Sequence, residues 1–179
     1  QRRDLIRPDY GDLSDPAGWV ELTERGRRAL TSRTLDGLDE ELLAISPHLV
    51  EMRAGAWDTL ASQGPDSLRQ AADSAWELLS QTLKLSVSDE DVKVAEWFSP
   101  NPESENGVTR AHRARLIMEC RFGKADEDAC EIVSSAARRL GRLKHARENL
   151  ERGQVELAMR QAEDALRVVL LLPEGQGGD

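Results

Sequence analysis

The chain has 179 residues, with 24 lysines and arginines against 33 aspartates and glutamates, so its formal net charge is −9. This excess of negative charge repels nucleic acid, and any contact with nucleic acid must therefore rest on a local basic patch. Aromatic residues make up only 4% of the chain, and most of the apolar content is Leu and Ala, which favours helix-on-helix packing over a sandwich or barrel. Composition predicts an all-α protein.

The sequence predicts neither a membrane span nor a disulfide framework. The longest apolar run, LRVVLLL near the end of the chain, is far shorter than the ~20 residues of a span. Because a signal-peptide pattern is also missing, we expect a cytoplasmic protein without membrane contact. Cys120 and Cys130 lie in helical segments without CxxC spacing, which predicts buried, reduced thiols and no metal site. The chain starts without Met, and we expect that something upstream is missing.

Residues 1–33 are predicted to form a short β-hairpin followed by a helix. Two apolar segments, around Leu5 and Trp19, flank a stretch rich in Pro, Gly and Asp, and Thr23 suits the N-cap of a helix. The segment VELTERGRRAL resembles the wing and closing helix of a winged-helix domain, but the helix-turn-helix that would contact DNA is absent. The alternative is a plain hairpin packed on the rest of the protein.

From residue 34 to residue 172, apolar residues recur at helical spacing, which predicts a bundle of five to seven helices. Pro47 is expected to separate the first two helices. The acidic segment 86–108 is predicted to be a surface loop containing one short turn, and the tail 173–179, PEGQGGD, to be flexible.

The stretch RRLGRLKHAREN, residues 138–149, is the candidate functional segment. It lies within 126–151, the longest continuous helical pattern in the chain. At about 100° per residue, one side of this helix is apolar and faces the core. The opposite side carries a stripe formed by Arg138, Arg142, His145 and Asn149, with Arg139 at its flank. An ordinary solvated helix face, paired with nearby acidic residues, explains the same pattern, and both interpretations stay open.

A second basic patch opens the helix that follows the acidic loop. It consists of Arg110, His112, Arg113 and Arg115. We interpret this patch as a helix start that faces the acidic loop and pairs with it.

Between about Leu35 and Leu172 the chain resembles a HEPN domain, the small helical fold of many bacterial toxins and antiphage RNases. Within that group it resembles the predicted pPIWI-associating nucleases. Three features carry the resemblance: the segment GAWDTLASQGPDSLRQAADSAWELL, the segment TRAHRARL, and an Arg-then-His pattern on the long helix that follows. The resemblance implies a component of a bacterial defence or toxin system.

The resemblance also implies a set of catalytic residues. The signature of the family is Arg, about four to six residues, then His; Arg138 and Arg139 both satisfy this count with His145. His145 would act as general acid or base, an arginine would neutralise the charge on the phosphorane, and Arg142 and Asn149 would bind the substrate. No metal or other cofactor is implied.

The resemblance further implies that the protein acts on RNA as a homodimer, because HEPN sites usually form across a two-fold axis. One residue departs from the pattern: the family commonly has a polar residue after the arginine, whereas Leu140 follows Arg139.

A non-catalytic function is the alternative. Paired carboxylates, a Ser-His-Asp arrangement, a Gly-rich phosphate loop and Cys/His metal spacing are not recognisable in the sequence. The chain would then be a helical module that dimerises or docks on a protein partner, attached to a winged helix that binds DNA. The acidic loop and an exposed Trp97 would form its contact surface.

Overall fold

The computed structural model describes residues 6–8, 20–22 and 37–171, apart from residues 63, 65 and 148. Across the described part of 37–171 the chain forms seven helices and no strand. The prediction of an all-α bundle of five to seven helices is therefore confirmed. None of these helices is long and apolar enough to cross a membrane.

The helix boundaries follow from local chain chemistry. Pro47 begins the second helix directly after the first, because its ring prevents the first helix from continuing. Gly123 ends the fifth helix in the left-handed conformation, with φ of 72°, which glycine adopts without a steric cost. The helices are α1 (Gly37–Ile45), α2 (Pro47–Ala61), α3 (Ser67–Ser86), α4 (Asp89–Lys93), α5 (Arg110–Phe122), α6 (Glu127–Lys144) and α7 (Arg152–Leu170).

Two short strands precede the bundle. Ile6–Pro8 (β1) and Val20–Leu22 (β2) pair in antiparallel orientation. The intervening residues 9–19 and the following residues 23–36 lie outside the described residues, as does the tail 173–179. The complete hairpin, the helix after it, the winged-helix resemblance and the flexible tail therefore stay predictions.

Helix α3 is the centre of the bundle. It contacts α1, α2, α5, α6 and α7. Its inward face combines small and large apolar residues, and Ala71, Ala72, Leu79 and Leu83 are all 0% exposed. Alanines allow the neighbouring helices to approach closely, while leucines fill the spaces between them. The helices that carry candidate functional residues are thereby fixed against one core.

A buried polar network joins the first two helices to the last. Arg53 of α2 donates from Nε and Nη2 to the two carboxylate oxygens of Glu163 in α7, at 2.7 and 2.8 Å, and from Nη1 to Asp39 of α1 at 2.6 Å. Trp57 Nε1 also donates to Glu163, at 2.6 Å. Burial by itself raises the pKa of Glu163, but the hydrogen bonds from Arg53 and Trp57 and the charges of Arg53 and Arg167 outweigh it and lower the pKa. The carboxylate is therefore ionised in the folded protein.

The first and last helices of the bundle meet at their ends. A Cβ placed on Gly37, the first residue of α1, would lie 3.7 Å from Leu171 Cδ2, just past the end of α7. Arg121 of α5 reinforces this meeting point, since its Nη1 donates to the Leu170 carbonyl at 2.7 Å and to Glu41 at 2.6 Å. The chain thus enters and leaves the bundle at one place.

Candidate functional site

Helix α6 presents its apolar side to the core and its charged side outward. Val133, Ala136 and Leu140 are buried, as the helical spacing predicts. Its N-cap is Asp126, whose carboxylate accepts hydrogen bonds from the backbone N–H groups of Asp128 and Ala129 at 2.9 and 3.3 Å. Glu127 and Asp128 lie in its first turn and Arg142 and Lys144 in its last, which complements the helix dipole. The candidate segment is therefore the positively charged end of α6.

The predicted continuous helix over 126–151 is wrong at its C-terminal end. Helix α6 stops at Lys144, His145 is its C-cap, and with 18 residues it is shorter than α3 and α7, which have 20 and 19. The reason is tertiary: Arg69 of α3 donates to the carbonyl of Ala146 at 2.7 Å and holds the chain outside the helix. Asn149 therefore does not continue the stripe on α6.

Three of the predicted residues meet in one place. Arg138, Arg139 and Arg142 line a groove of about 920 Å³ between α6 and α7, here called the α6–α7 groove. Arg138 is ion-paired with Glu131, and Arg139 donates to Gln161 Oε1 at 2.8 Å. The exposed Arg142 has no hydrogen-bond or ion-pair partner among the described residues. Its guanidinium is thus the most available cation of the three.

The other two predicted residues lie apart from this groove. His145 is exposed, three positions after Arg142, and it is not among the residues that line the α6–α7 groove. Asn149 lines a separate recess of about 240 Å³ together with Arg69 and Arg152. The monomer therefore brings the arginines together but does not place His145 and Asn149 in the same groove.

The second basic patch partly faces the acidic loop, as expected. Arg113 forms an ion pair with Asp89. Arg115 lies 4.4 Å above the Trp97 ring, whose Nε1 donates to Glu119 at 2.6 Å. Trp97 is half-buried against α5 by these contacts, so the expectation of a freely exposed contact tryptophan is wrong.

His112 is a capping residue in this patch. Its Nδ1 accepts a hydrogen bond from the backbone N–H of Thr109 at 3.2 Å, while the Thr109 hydroxyl accepts from the His112 backbone N–H. Its ring contacts the edge of Phe98 at a centroid distance of 5.3 Å. Burial and the charges of Arg113 and Arg115 lower the pKa of His112. These contacts favour the neutral imidazole and give it a structural role.

Sequence reasoning missed Trp76, a residue of α3 whose ring lies against α6. The guanidinium carbon of Arg110 is 4.4 Å from its ring centroid, and Lys144 Nζ is 3.6 Å from it. Gly141 of α6 lies next to the same ring, since a Cβ there would be in van der Waals contact with Trp76 Nε1 at 3.7 Å. A signal was available in the sequence: Trp76, Ser80 and Lys84 recur every four residues, and such residues share one side of a helix.

The two cysteines are free, as expected. Cys120, however, is exposed and not buried, because the core side of α5 is occupied by Ala114, Ile117 and Met118. Cys130 is half-buried, and burial raises the pKa of its thiol. Within the described ranges, no three His, Cys, Asp or Glu side chains are grouped as metal ligands.

Comparison with known protein families identifies the family of the chain. A family model described as "predicted pPIWI-associating nuclease" matches residues 42–169. The chain belongs to this family. The match runs from within α1 to within α7 and includes the whole positively charged end of α6, so the resemblance to predicted pPIWI-associating nucleases is confirmed. No curated protein and no solved structure matches the chain.

Proposed function

We propose that this pPIWI-associating family member cleaves single-stranded RNA, in the cytoplasm, as part of a bacterial defence or toxin system. The observation that carries the proposal is Arg142, an exposed cation without a partner among the described residues, one helical turn before the exposed His145. The family description supports a nuclease, and the resemblance to HEPN domains supports RNA as the substrate. The active site is proposed to lie at the C-terminal end of α6.

The proposed reaction uses the 2′-hydroxyl of the substrate. His145 accepts the 2′-hydroxyl proton, the 2′-oxygen attacks the adjacent phosphorus, and the bond from phosphorus to the 5′-oxygen breaks. The leaving oxygen takes a proton from imidazolium, so the products are a 2′,3′-cyclic phosphate and a 5′-hydroxyl. Arg138 or Arg139 neutralises the charge of the phosphorane, and Arg142 and Asn149 bind the neighbouring strand. This chemistry requires no metal ion or other cofactor.

A homodimer is part of the proposal, and exposed apolar residues support it. Ile132 of α6 lines the α6–α7 groove and is 45% exposed, and Leu157 and Val168 of α7 are 48% and 42% exposed. Helical spacing places these two α7 residues on the same side as Gln161, which also lines the groove. Exposed apolar residues on one side of a protein are typical of an interaction surface. A two-fold axis there would bring the α6–α7 grooves of two copies together.

The test is cleavage of single-stranded RNA by the purified chain in the presence of a chelator. His145→Ala is expected to reduce the rate by about 10²- to 10⁴-fold, the usual contribution of a general acid or base. Because His145 is exposed, stability should change by no more than about 0.5 kcal/mol. The matched control is His48→Ala, which removes a histidine whose side chain is 73% exposed on α2 and should leave cleavage unchanged.

Arginine variants test whether cleavage depends on the proposed site or only on positive surface charge. Arg142→Ala should lower the cleavage rate, whereas Arg160→Ala, which removes an arginine 63% exposed and paired with Glu156, should not. Undiminished cleavage by His145→Ala would remove that residue from the reaction.

The second candidate is a non-catalytic docking module, attached to a winged helix that binds DNA. The exposed apolar residues of α6 and α7 favour it, together with the words "pPIWI-associating" in the family description. The absence of cleavage by the unmutated chain, combined with a stable dimer or partner complex, would establish this function in place of the nuclease.

A further inference from the structure

A second groove, of about 710 Å³, lies between α3, α6, the start of α5 and the segment 101–109; it is here called the α3–α6 groove. Its lining includes four cationic side chains against two carboxylates, those of Glu103 and Glu105, which are both exposed on the loop. Lys84 and Arg138 are also exposed, and Arg138 is paired with Glu131, whereas Arg110 is half-buried and Arg113 is buried. Water screens the exposed charges well, so Arg110 and Arg113 dominate the electrostatics of the groove. The cationic side chains are Lys84, Arg110, Arg113 and Arg138.

Arg110 is held in a fixed orientation within this groove. Its Nε donates to Ser80 Oγ at 3.0 Å, and its guanidinium carbon lies 4.4 Å from the centroid of the Trp76 ring. Its two terminal nitrogens have no partner among the described residues. A guanidinium fixed in this way presents a planar fork of N–H donors, which matches two oxygens of a phosphate without further ordering of the side chain.

Arg113 supplies an independent observation. It is 6% exposed and lines the same groove. Its Nη2 forms an ion pair with Asp89, but its Nε is buried and has no hydrogen-bond partner in the described part of the chain. An unsatisfied buried donor on a cation costs free energy, and an anion in the groove would stabilise the charge of Arg113.

The surroundings of Arg110 destabilise its charge. Burial and the nearby Arg113 charge lower the pKa of Arg110, and they outweigh the charge of Glu77, which raises it. A bound anion would offset both effects, because it supplies an opposite charge within the groove.

From these contacts we propose that the α3–α6 groove binds a phosphate group of a nucleotide, free or within a strand, with Arg110 as the anchoring residue. Arg138 lines both this groove and the α6–α7 groove. A nucleic-acid strand that crosses α6 at Arg138 would therefore place phosphates in both grooves. The proposal concerns binding and does not depend on cleavage.

Fluorescence anisotropy of a fluorescein-labelled oligouridylate of about twelve nucleotides tests the proposal, in the His145→Ala variant so that cleavage cannot interfere. Arg110→Ala should weaken binding about tenfold to a hundredfold, the usual range for hydrogen bonds to a charged group. Arg110→Lys keeps the charge but loses the fork, and should recover only part of the affinity. The salt dependence of binding in Arg110→Ala should also decrease by about 0.7 in slope, the effect of one lost phosphate contact.

The matched control is Arg115→Ala, since Arg115 lies over Trp97 at the same 4.4 Å but does not line the groove. Adenosine 5′-monophosphate, added as a competitor, identifies the source of the phosphate. Displacement of the labelled strand means that the groove takes a single nucleotide; no displacement, with weakened binding in Arg110→Ala, means that it takes an internal phosphodiester. Equal affinities of Arg110→Ala and its parent for both probes would overturn the proposal, and thermal unfolding of each variant verifies that it is folded.

Discussion

Glu163 is only 7% exposed and accepts hydrogen bonds from Arg53 and Trp57. Glu163→Gln removes the charge that compensates Arg53 in a buried environment. We expect the free energy of unfolding to fall by about 3 kcal/mol, because a buried cation loses its main partner. Urea denaturation measures this difference.

Glu156→Gln is the control, since Glu156 pairs with Arg160 at 2.8 Å on an exposed surface and its loss should cost no more than about 0.5 kcal/mol. The effect of Glu163 should also depend on pH. Because folding lowers the pKa of Glu163, its contribution is complete above the ordinary value of 4.5 and is lost as the pH falls through the folded pKa. Equal losses in the two variants at neutral pH would contradict the role of the network.

Such residues could not be identified from the sequence. Arg53 and Glu163 are 110 positions apart, and neither stands in a motif that connects them. The arginines of α6 were identified because they are close in sequence. The fork of Arg110 over Trp76 was missed, because their contact depends on how α3 and α5 pack.

At the scale of elements, the N-cap of α6 offers a direct test. Asp126→Ala removes an acceptor for two backbone N–H groups and should reduce the free energy of unfolding by about 1 kcal/mol. Ser46→Ala is the control, because Ser46 is the N-cap of α2 but its side chain makes no capping hydrogen bond. Chemical denaturation compares the two, and a loss as large in Ser46→Ala would show that the cap is not the cause.

Helix starts and core faces were predictable, and one helix end was not. Pro47 and the apolar spacing of α3 and α6 act locally, and the structure confirms both. The sequence after Lys144 continues with good helix formers such as Ala146 and Arg147, so local propensity favours a longer helix. The bond from Arg69 to the carbonyl of Ala146 is a tertiary contact, and it prevails over that local preference.

At the scale of the whole molecule, we expect a homodimer formed through α6 and α7. Leu157→Glu should weaken the dimer, because it places a charge among the exposed apolar residues of that side. Val94→Glu is the control, since Val94 is 82% exposed just after α4. Sedimentation equilibrium measures the mass of each variant over a range of concentrations.

A monomer at every concentration, in the unmutated chain, would contradict the dimer.

The all-α class was predictable because composition and periodicity act over the whole chain. The α3–α6 groove was not, since it is lined by residues from helices that are distant in sequence, and the α6–α7 groove depends on how two consecutive helices pack. The sequence therefore identified a candidate helix but not the two grooves that this helix lines.

The contact between Gly37 and Leu171 has a topological consequence. A domain whose first and last residues are neighbours can be inserted into a surface loop of another protein, or circularly permuted, without disturbing its interior. A short linker from residue 171 to residue 37, with new ends opened in the segment 99–106, would keep all seven described helices intact. Such a permuted chain would have its ends beside the α3–α6 groove, where an attached label or partner could report directly on what binds there.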